Sequence, residues 1–71
     1  MPLTLAKAGD TVIVERITGK DEIRSHLADL GFVPGAEIEV VQSQGGNIIV
    51  KVKGSRLAIT KEMAAKILVA S

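Results

Sequence analysis

The chain has 71 residues, 46% of them hydrophobic, and carries nine Lys or Arg against eight Asp or Glu. This length holds a single domain, 1–71, and the apolar fraction is too high for a disordered chain. The lack of cysteine excludes disulfides, thiolate nucleophiles and cysteine-based zinc sites. A net charge of +1 and a single aromatic residue, Phe32, argue against a dedicated nucleic-acid binder.

The N-terminal residues predict two strands. Leu3-Thr4-Leu5 places leucines at period two, which predicts a short strand. Thr11 to Thr18 is rich in β-branched residues, which suit a pleated, half-buried surface. Apolar residues fall on both faces of this second segment, with Val12 and Val14 on one face and Ile13 and Ile17 on the other. We therefore expect it to be covered on both sides over part of its length.

From Lys20 to Leu30 the hydrophobic period changes to that of a helix. Ile23, Leu27 and Leu30 fall on one helical stripe, which predicts a helix of about three turns. Gly31 follows the last residue of the stripe, where helices commonly end in a left-handed conformation. Phe32 then occupies the position that pairs with Leu27 in a Schellman ending.

After a Val33-Pro34-Gly35 turn, the segments 36–43 and 48–53 predict a hairpin. A two-residue Gly45-Gly46 loop would pair Val40 with Lys51 and mix the apolar and polar faces. A three-residue loop, Gln44-Gly45-Gly46, instead pairs Val40 with Val50 and Ile38 with Val52. We therefore predict the three-residue loop with Gly46 left-handed, which also sets Glu39 opposite Lys51 and Glu37 opposite Lys53.

The C-terminal third predicts a turn at Gly54-Ser55, a strand over 56–59, a short helix over 61–66 with Thr60 as its N-cap, and a closing strand over 67–69. The fold is therefore expected to be mainly β. We predict a small five-stranded, partly closed β-barrel of the SH3 type, with one three-turn α-helix covering one side and one short C-terminal helix. Closure of the barrel would remove the exposed sheet edges.

The sequence contains no nucleotide-binding glycine motif and no paired metal-ligand spacing, so we predict no enzyme activity, no catalytic residues and no cofactor. His26, with Glu22 and Asp29 on the same helix flank, is the weak candidate for an adventitious metal site. Lys51, Lys53 and Arg56 form the only basic cluster. They indicate either a solvated face neutralised by Glu37 and Glu39 or a docking patch for an acidic partner.

Residues 27–40, LADLGFVPGAEIEV, closely resemble the L-x-x-L-G-[LF]-x-P-G-x-x-[IV]-x-V core of the FeoA family. This family comprises small cytosolic proteins of the bacterial ferrous iron transport system, and the similarity runs essentially from end to end. One departure is His26, because relatives often carry Arg just before the first Leu of the motif.

The resemblance implies an SH3-like barrel without enzymatic activity that acts as an accessory to FeoB, the Fe²⁺ permease with a cytosolic G-protein domain. It further implies a cytoplasmic protein that its partner recruits to the inner face of the membrane. The exposed groups that could make the contact are Arg24, His26, Lys51, Lys53 and Arg56.

Two other functions remain open from the sequence. The same domain type occurs in metal-dependent repressors of the diphtheria-toxin-repressor class, as an SH3-like ligand-interacting domain. The start at Met1 and the lack of a helix-turn-helix favour a free-standing protein instead. An RNA-binding barrel is disfavoured by the low charge and the lone aromatic residue.

Overall fold

The computed structural model describes residues 1–70, which form five strands, two α-helices and one short 3-10 turn. The elements in chain order are the 3-10 turn Leu3–Leu5, β1 Thr11–Ile17, α1 Asp21–Asp29, β2 Glu37–Gln44, β3 Asn47–Val52, β4 Ser55–Thr60, α2 Lys61–Ala64 and β5 Ile67–Ala70. The predicted fold class, mainly β with five strands, one longer helix and one short C-terminal helix, is confirmed.

The five strands form one antiparallel sheet in the order β4-β3-β2-β1-β5. This sheet does not close into a barrel, so the expectation that closure removes the sheet edges is wrong. The N-terminus covers the outer side of β5, where Pro2 forms a bridge to Leu68 and the Val69 N–H donates to the Met1 carbonyl. The outer side of β4 has no such neighbour within residues 1–70.

The core is formed by the inward-facing residues of the sheet together with Leu3, Leu27 of α1 and Phe32. Alternate residues of the strands point into it, as the period of two predicts. The largest side chains that are fully enclosed are Phe32, Leu3, Leu27, Ile38, Ile48 and Ile67. The helical stripe is confirmed, with Leu27 fully buried and Ile23 and Leu30 packed at the edge of the core.

The N-terminal strand prediction is wrong, because Leu3–Leu5 is a 3-10 turn. The Leu5 N–H donates to the Pro2 carbonyl at 3.1 Å, and the Ala6 N–H donates to the Leu3 carbonyl at 3.0 Å. With about three residues per turn, residues two apart do not share a face. Leu3 is therefore buried while Leu5 is 64% exposed, although their spacing resembles that of a strand.

The Schellman ending of α1 is confirmed. The Phe32 N–H donates to the Leu27 carbonyl and the Gly31 N–H to the Ala28 carbonyl, both at 3.0 Å. Gly31 has φ +109°, and an added Cβ would lie 3.1 Å from Val52 Cγ2. The helix end is thus fixed against β3 by a residue without a side chain.

The hairpin register is confirmed, but the loop is shorter than predicted. Ile38 faces Val52, Glu39 faces Lys51 and Val40 faces Val50, and the loop consists of Gly45 and Gly46 alone. The extra residue is accommodated by an irregularity in β2 between Val40 and Gln42, which restores the apolar face without lengthening the loop. The positive φ, +59°, belongs to Gly45 and not to Gly46.

The predicted pair of Glu37 and Lys53 is not part of the sheet. Lys53 lies beyond the end of β3, and Glu37 faces Ile13 of β1. Lys53 and Gly54 instead form the β3–β4 loop, with φ of +52° and +79°. The predicted N-cap of α2 is confirmed, because Thr60 Oγ1 accepts a hydrogen bond from the Met63 N–H at 3.1 Å.

Candidate functional site

A groove of about 680 Å³ lies between the turn after α1 and the β2–β3 hairpin. We call it the hairpin groove; it is lined by residues 33–37, Glu39 and residues 51–54. The turn is held on β1 at both sides, since the Gly35 N–H donates to the Val14 carbonyl and the Val14 N–H donates to the Ala36 carbonyl. One wall of the groove is therefore fixed by the sheet.

Charged side chains of both signs line the hairpin groove. Glu39 faces Lys51 across β2 and β3, and Lys51 faces Arg56 across β3 and β4. All three side chains are exposed. Within residues 1–70 the only ion pair closer than 4.0 Å joins Arg24 and Asp21, so neither Lys51 nor Lys53 is held in a salt bridge. Their ammonium groups are available to a partner.

A second groove, of about 410 Å³, lies between the end of β1 and α1. We call it the helix groove; its lining is Arg16, Ile17, Asp21, Arg24, Ser25, Ala28, Phe32, Val33 and Pro34. Arg24 Nη1 lies 3.3 Å from Asp21 Oδ1 on its rim. Val33 and Pro34 line both grooves and form the ridge between them.

The five residues predicted to contact a partner do not form one patch. Lys51 and Lys53 line the hairpin groove, Arg56 lies beside Lys51 on β4, and Arg24 lines the helix groove. His26 is exposed and lines neither groove. At about 100° per residue, His26 lies roughly 160° around α1 from Arg24, on the opposite flank.

The candidate metal ligands Glu22, His26 and Asp29 are all exposed on that opposite flank of α1. Residues 1–70 contain no group of three or more His, Asp or Glu side chains placed to hold a metal ion. In the same part of the chain, no helix is long and apolar enough to cross a membrane.

Sequence reasoning did not find the two grooves. The sequence of Val33-Pro34-Gly35 predicts only a turn, whereas Val33 and Pro34 supply the apolar ridge. An apolar residue before a Pro-Gly turn, directly after a buried helix end, was the available signal. Arg16 was also missed, because its place beside α1 depends on how the helix packs against the end of β1.

Comparisons with known proteins give a consistent family. The model of the FeoA domain matches residues 1–71. A curated protein of Methanocaldococcus jannaschii, named as a candidate Fe(2+) transport protein A, is 37% identical over 68 residues, which cover 96% of this chain and 83% of that protein. The crystal structure of an iron uptake regulatory protein, FeoA, is 40% identical with a TM-score of 0.91, covering 99% of this chain and 93% of the other.

Two further structures show how widely the fold is used. A FeoA of Stenotrophomonas maltophilia, complexed with zinc and described as a prokaryotic SH3 domain protein, is 28% identical with a TM-score of 0.87 and covers 99% of this chain and 89% of its own. IdeR of T. acidophilum is also 28% identical with a TM-score of 0.87, but this chain spans only 33% of it. The predicted SH3-like class is thereby confirmed, and on the match along its whole length the chain belongs to the FeoA domain family.

Proposed function

We propose that the chain is an accessory protein of ferrous iron uptake that acts by direct contact with the cytosolic part of the FeoB permease, without catalysis of its own. Family membership and the Fe(2+) transport name of the Methanocaldococcus jannaschii relative support the role in iron transport. In this proposal the protein is cytoplasmic and reaches the inner face of the membrane through its partner.

The observation that carries the proposal is the hairpin groove with its unpaired lysines. Protein interfaces combine an apolar centre with a charged rim that steers association. Val33 and Pro34 supply apolar surface, while Lys51 of β3 and Lys53 of the β3–β4 loop supply positive charge. Since neither ammonium group is held by the fold, both are free to bind carboxylates of a partner.

The test is binding to the cytosolic domain of the cognate permease, measured by calorimetry with and without guanine nucleotide. We expect the variant K51E/K53E to bind more weakly and to impair ferrous iron uptake in cells, because reversing rim charges slows association. Replacing exposed charges changes stability by no more than about 0.5 kcal/mol in most cases. Glu39 would then face a second glutamate, so a thermal melt must first show that the variant is folded.

Lys7 and Lys61 provide a matched control, because both are exposed and neither lines a groove. The variant K7E/K61E changes the net charge by the same amount and should bind like the wild type. If folded K51E/K53E retains wild-type binding and iron uptake, the docking site does not include these lysines. If the wild type itself does not bind the permease domain, the proposed function is wrong.

A second candidate function is that of an SH3-like ligand-interacting domain in a metal-dependent regulator. The observation that favours it is the likeness to one third of T. acidophilum IdeR. It requires a DNA-binding region translated in the same polypeptide. The length of the protein in cell extract, measured by mass spectrometry, discriminates the two candidates.

A further inference from the structure

Strand β4 presents unpaired backbone groups along the open side of the sheet. Its six residues all face β3, from the pair of Val52 and Ser55 next to the loop to the pair of Asn47 and Thr60. The two-residue loop makes Val52 and Ser55 a hydrogen-bonded pair, and such pairs alternate along antiparallel strands. The N–H and C=O groups of Arg56 and Ala58 therefore point away from β3.

These outward groups have no protein partner. Within residues 1–70, no backbone or side-chain group outside the sheet hydrogen-bonds the main chain of Arg56 or Ala58. The other end of the sheet differs, because the N-terminal residues Met1 and Pro2 cover β5 there. An uncovered edge strand is a ready template for an added strand, and natural proteins commonly block such edges. Ser55–Thr60 contains no proline and only one charged side chain.

The side chains at this edge define the chemistry of an added strand. Arg56 and Lys51 face each other on the solvent side of the sheet, whereas Glu39 lies one strand further from the edge. The row across the sheet therefore becomes positive towards the open edge. On the core side Leu57 is only partly buried, beside the fully buried Val50. An added strand would place one side chain against the cations and the next against Leu57.

We propose that β4 binds an extended acidic segment of a partner protein, which joins the sheet as a sixth strand. Its carboxylates lie beside Arg56 and Lys51, and an apolar side chain covers Leu57. The inference rests on the proposed function in that the segment belongs to the cytosolic part of the permease. A second copy of this chain is a poorer occupant, because it would bring a second Arg56 and Lys51 to the same edge.

The probe is a dye-labelled seven-residue peptide with glutamate at odd positions and threonine, leucine and threonine at even ones. Fluorescence anisotropy of the dye measures its binding to the protein. A matched peptide carries lysine in place of glutamate. We expect the wild-type protein to bind the glutamate peptide about tenfold more tightly than the lysine peptide. The variant R56E should lose this preference, because its new glutamate offsets the charge of Lys51, which faces it across β3 and β4.

Ala58→Pro tests the backbone contact directly. It removes one outward N–H and no bond to β3, and proline is tolerated on edge strands with that geometry. We expect peptide binding to weaken about tenfold, as for one lost hydrogen bond, while Ala58→Val, which keeps the N–H, binds like the wild type. Amide hydrogen exchange at Arg56 and Ala58 should slow when the peptide binds. If Ala58→Pro does not fold, R56E and the exchange measurement decide.

The outcomes separate this inference from the proposed function. Equal binding of the permease domain to the wild type and to folded Ala58→Pro would keep the proposed function and overturn strand addition. Peptide binding that Ala58→Pro weakens, without any binding of the permease domain, would support strand addition by an acidic segment of another protein and overturn the proposed function. Self-association through β4 without peptide binding would also overturn the inference.

Discussion

Lys53 holds a backbone conformation that elsewhere in residues 1–70 is adopted only by glycine. Its φ is +52°, and with Gly54 at +79° it forms the two-residue loop between β3 and β4. Positive φ at both loop positions is the pattern of a type I′ turn, which favours Asn-Gly. A lysine at the first position is therefore strained. Lys53 also lines the hairpin groove, at a position where the turn alone would favour asparagine.

We predict that Lys53→Asn raises the free energy of unfolding by about 1 kcal/mol, because Asn adopts positive φ more readily than Lys. Urea denaturation measures the change. Lys51→Asn is the matched control, since it removes the same charge from an extended position in β3 and should not stabilise. Equal stabilities for the wild type and Lys53→Asn would show that the loop is not strained.

Gly31 and Gly35 separate backbone strain from steric conflict. Both have positive φ, +109° and +89°, so alanine at either position costs about 1–3 kcal/mol in backbone strain. At Gly31 the added Cβ would also meet Val52 Cγ2 at 3.1 Å, whereas nothing lies within 4 Å at Gly35. We predict that Gly31→Ala is the more destabilising variant, because the steric conflict lowers the free energy of unfolding by about 1–3 kcal/mol beyond the backbone strain. Thermal melts of both variants compare them, and equal losses would contradict the contact with β3.

At the scale of elements, α1 is attached to the sheet chiefly through Leu27 and the helix end that follows it. Leu27 is fully buried, and its carbonyl accepts the Phe32 N–H that closes the Schellman ending. The helix lines one side of the helix groove, while the turn behind it lines the hairpin groove. The position of the helix groove therefore depends on the packing of this one helix, whereas the turn that lines the hairpin groove is also held by its hydrogen bonds to Val14.

We predict that Leu27→Ala lowers the free energy of unfolding by about 2–5 kcal/mol, because it opens a cavity between α1 and the sheet. In a domain of this size that loss would unfold much of the population at 37 °C. Leu5→Ala is the control, because Leu5 is 64% exposed in the N-terminal turn. A melting temperature that Leu27→Ala leaves unchanged would show that Leu27 does not anchor the helix.

Elements with strong local signals could be predicted from the sequence. The stripe of α1, its Gly31 ending, the Thr60 cap and the register of Val40 with Val50 all follow from side-chain pattern and were found. At two places in the chain, the side-chain pattern fits two different local structures equally well. An extra residue satisfies the hairpin pattern in the loop or within β2, and leucines two apart fit a strand or a 3-10 turn.

The candidate site was less predictable than the fold. Exposed Lys51, Lys53 and Arg56 were identified as charges that the core does not need, and the structure places them close together. The grooves and the open edge of β4 depend on how distant segments pack and on whether the sheet closes. Neither feature follows from hydrophobic periodicity, because periodicity indicates which face of a strand or helix is buried but not which other elements lie beside it.

At the scale of the whole molecule, the chain separates a fixed apolar core from a surface that carries almost all of its polar chemistry. Residues 1–70 bury no charged or polar residue. The exposed groups therefore tolerate change, and the molecule can vary its contacts without losing its fold.

The same separation leads to a prediction about metal. Tight sites for Zn²⁺ or Fe²⁺ use several converging nitrogen, sulfur or carboxylate ligands. This chain has one histidine and no cysteine, and His26 lies exposed on α1 with Glu22 and Asp29 as its only acidic neighbours on that flank.

We predict that the isolated protein binds Zn²⁺ and Fe²⁺ with a Kd above about 1 μM, since affinity depends on the number of ligands. Calorimetry with each ion, the Fe²⁺ titration under anaerobic conditions, measures this. Any weak binding should disappear in His26→Ala and persist in Lys7→Asn, which replaces an exposed residue outside α1. A stoichiometric site tighter than about 1 μM would contradict the prediction, and its loss in His26→Ala would place the metal on α1.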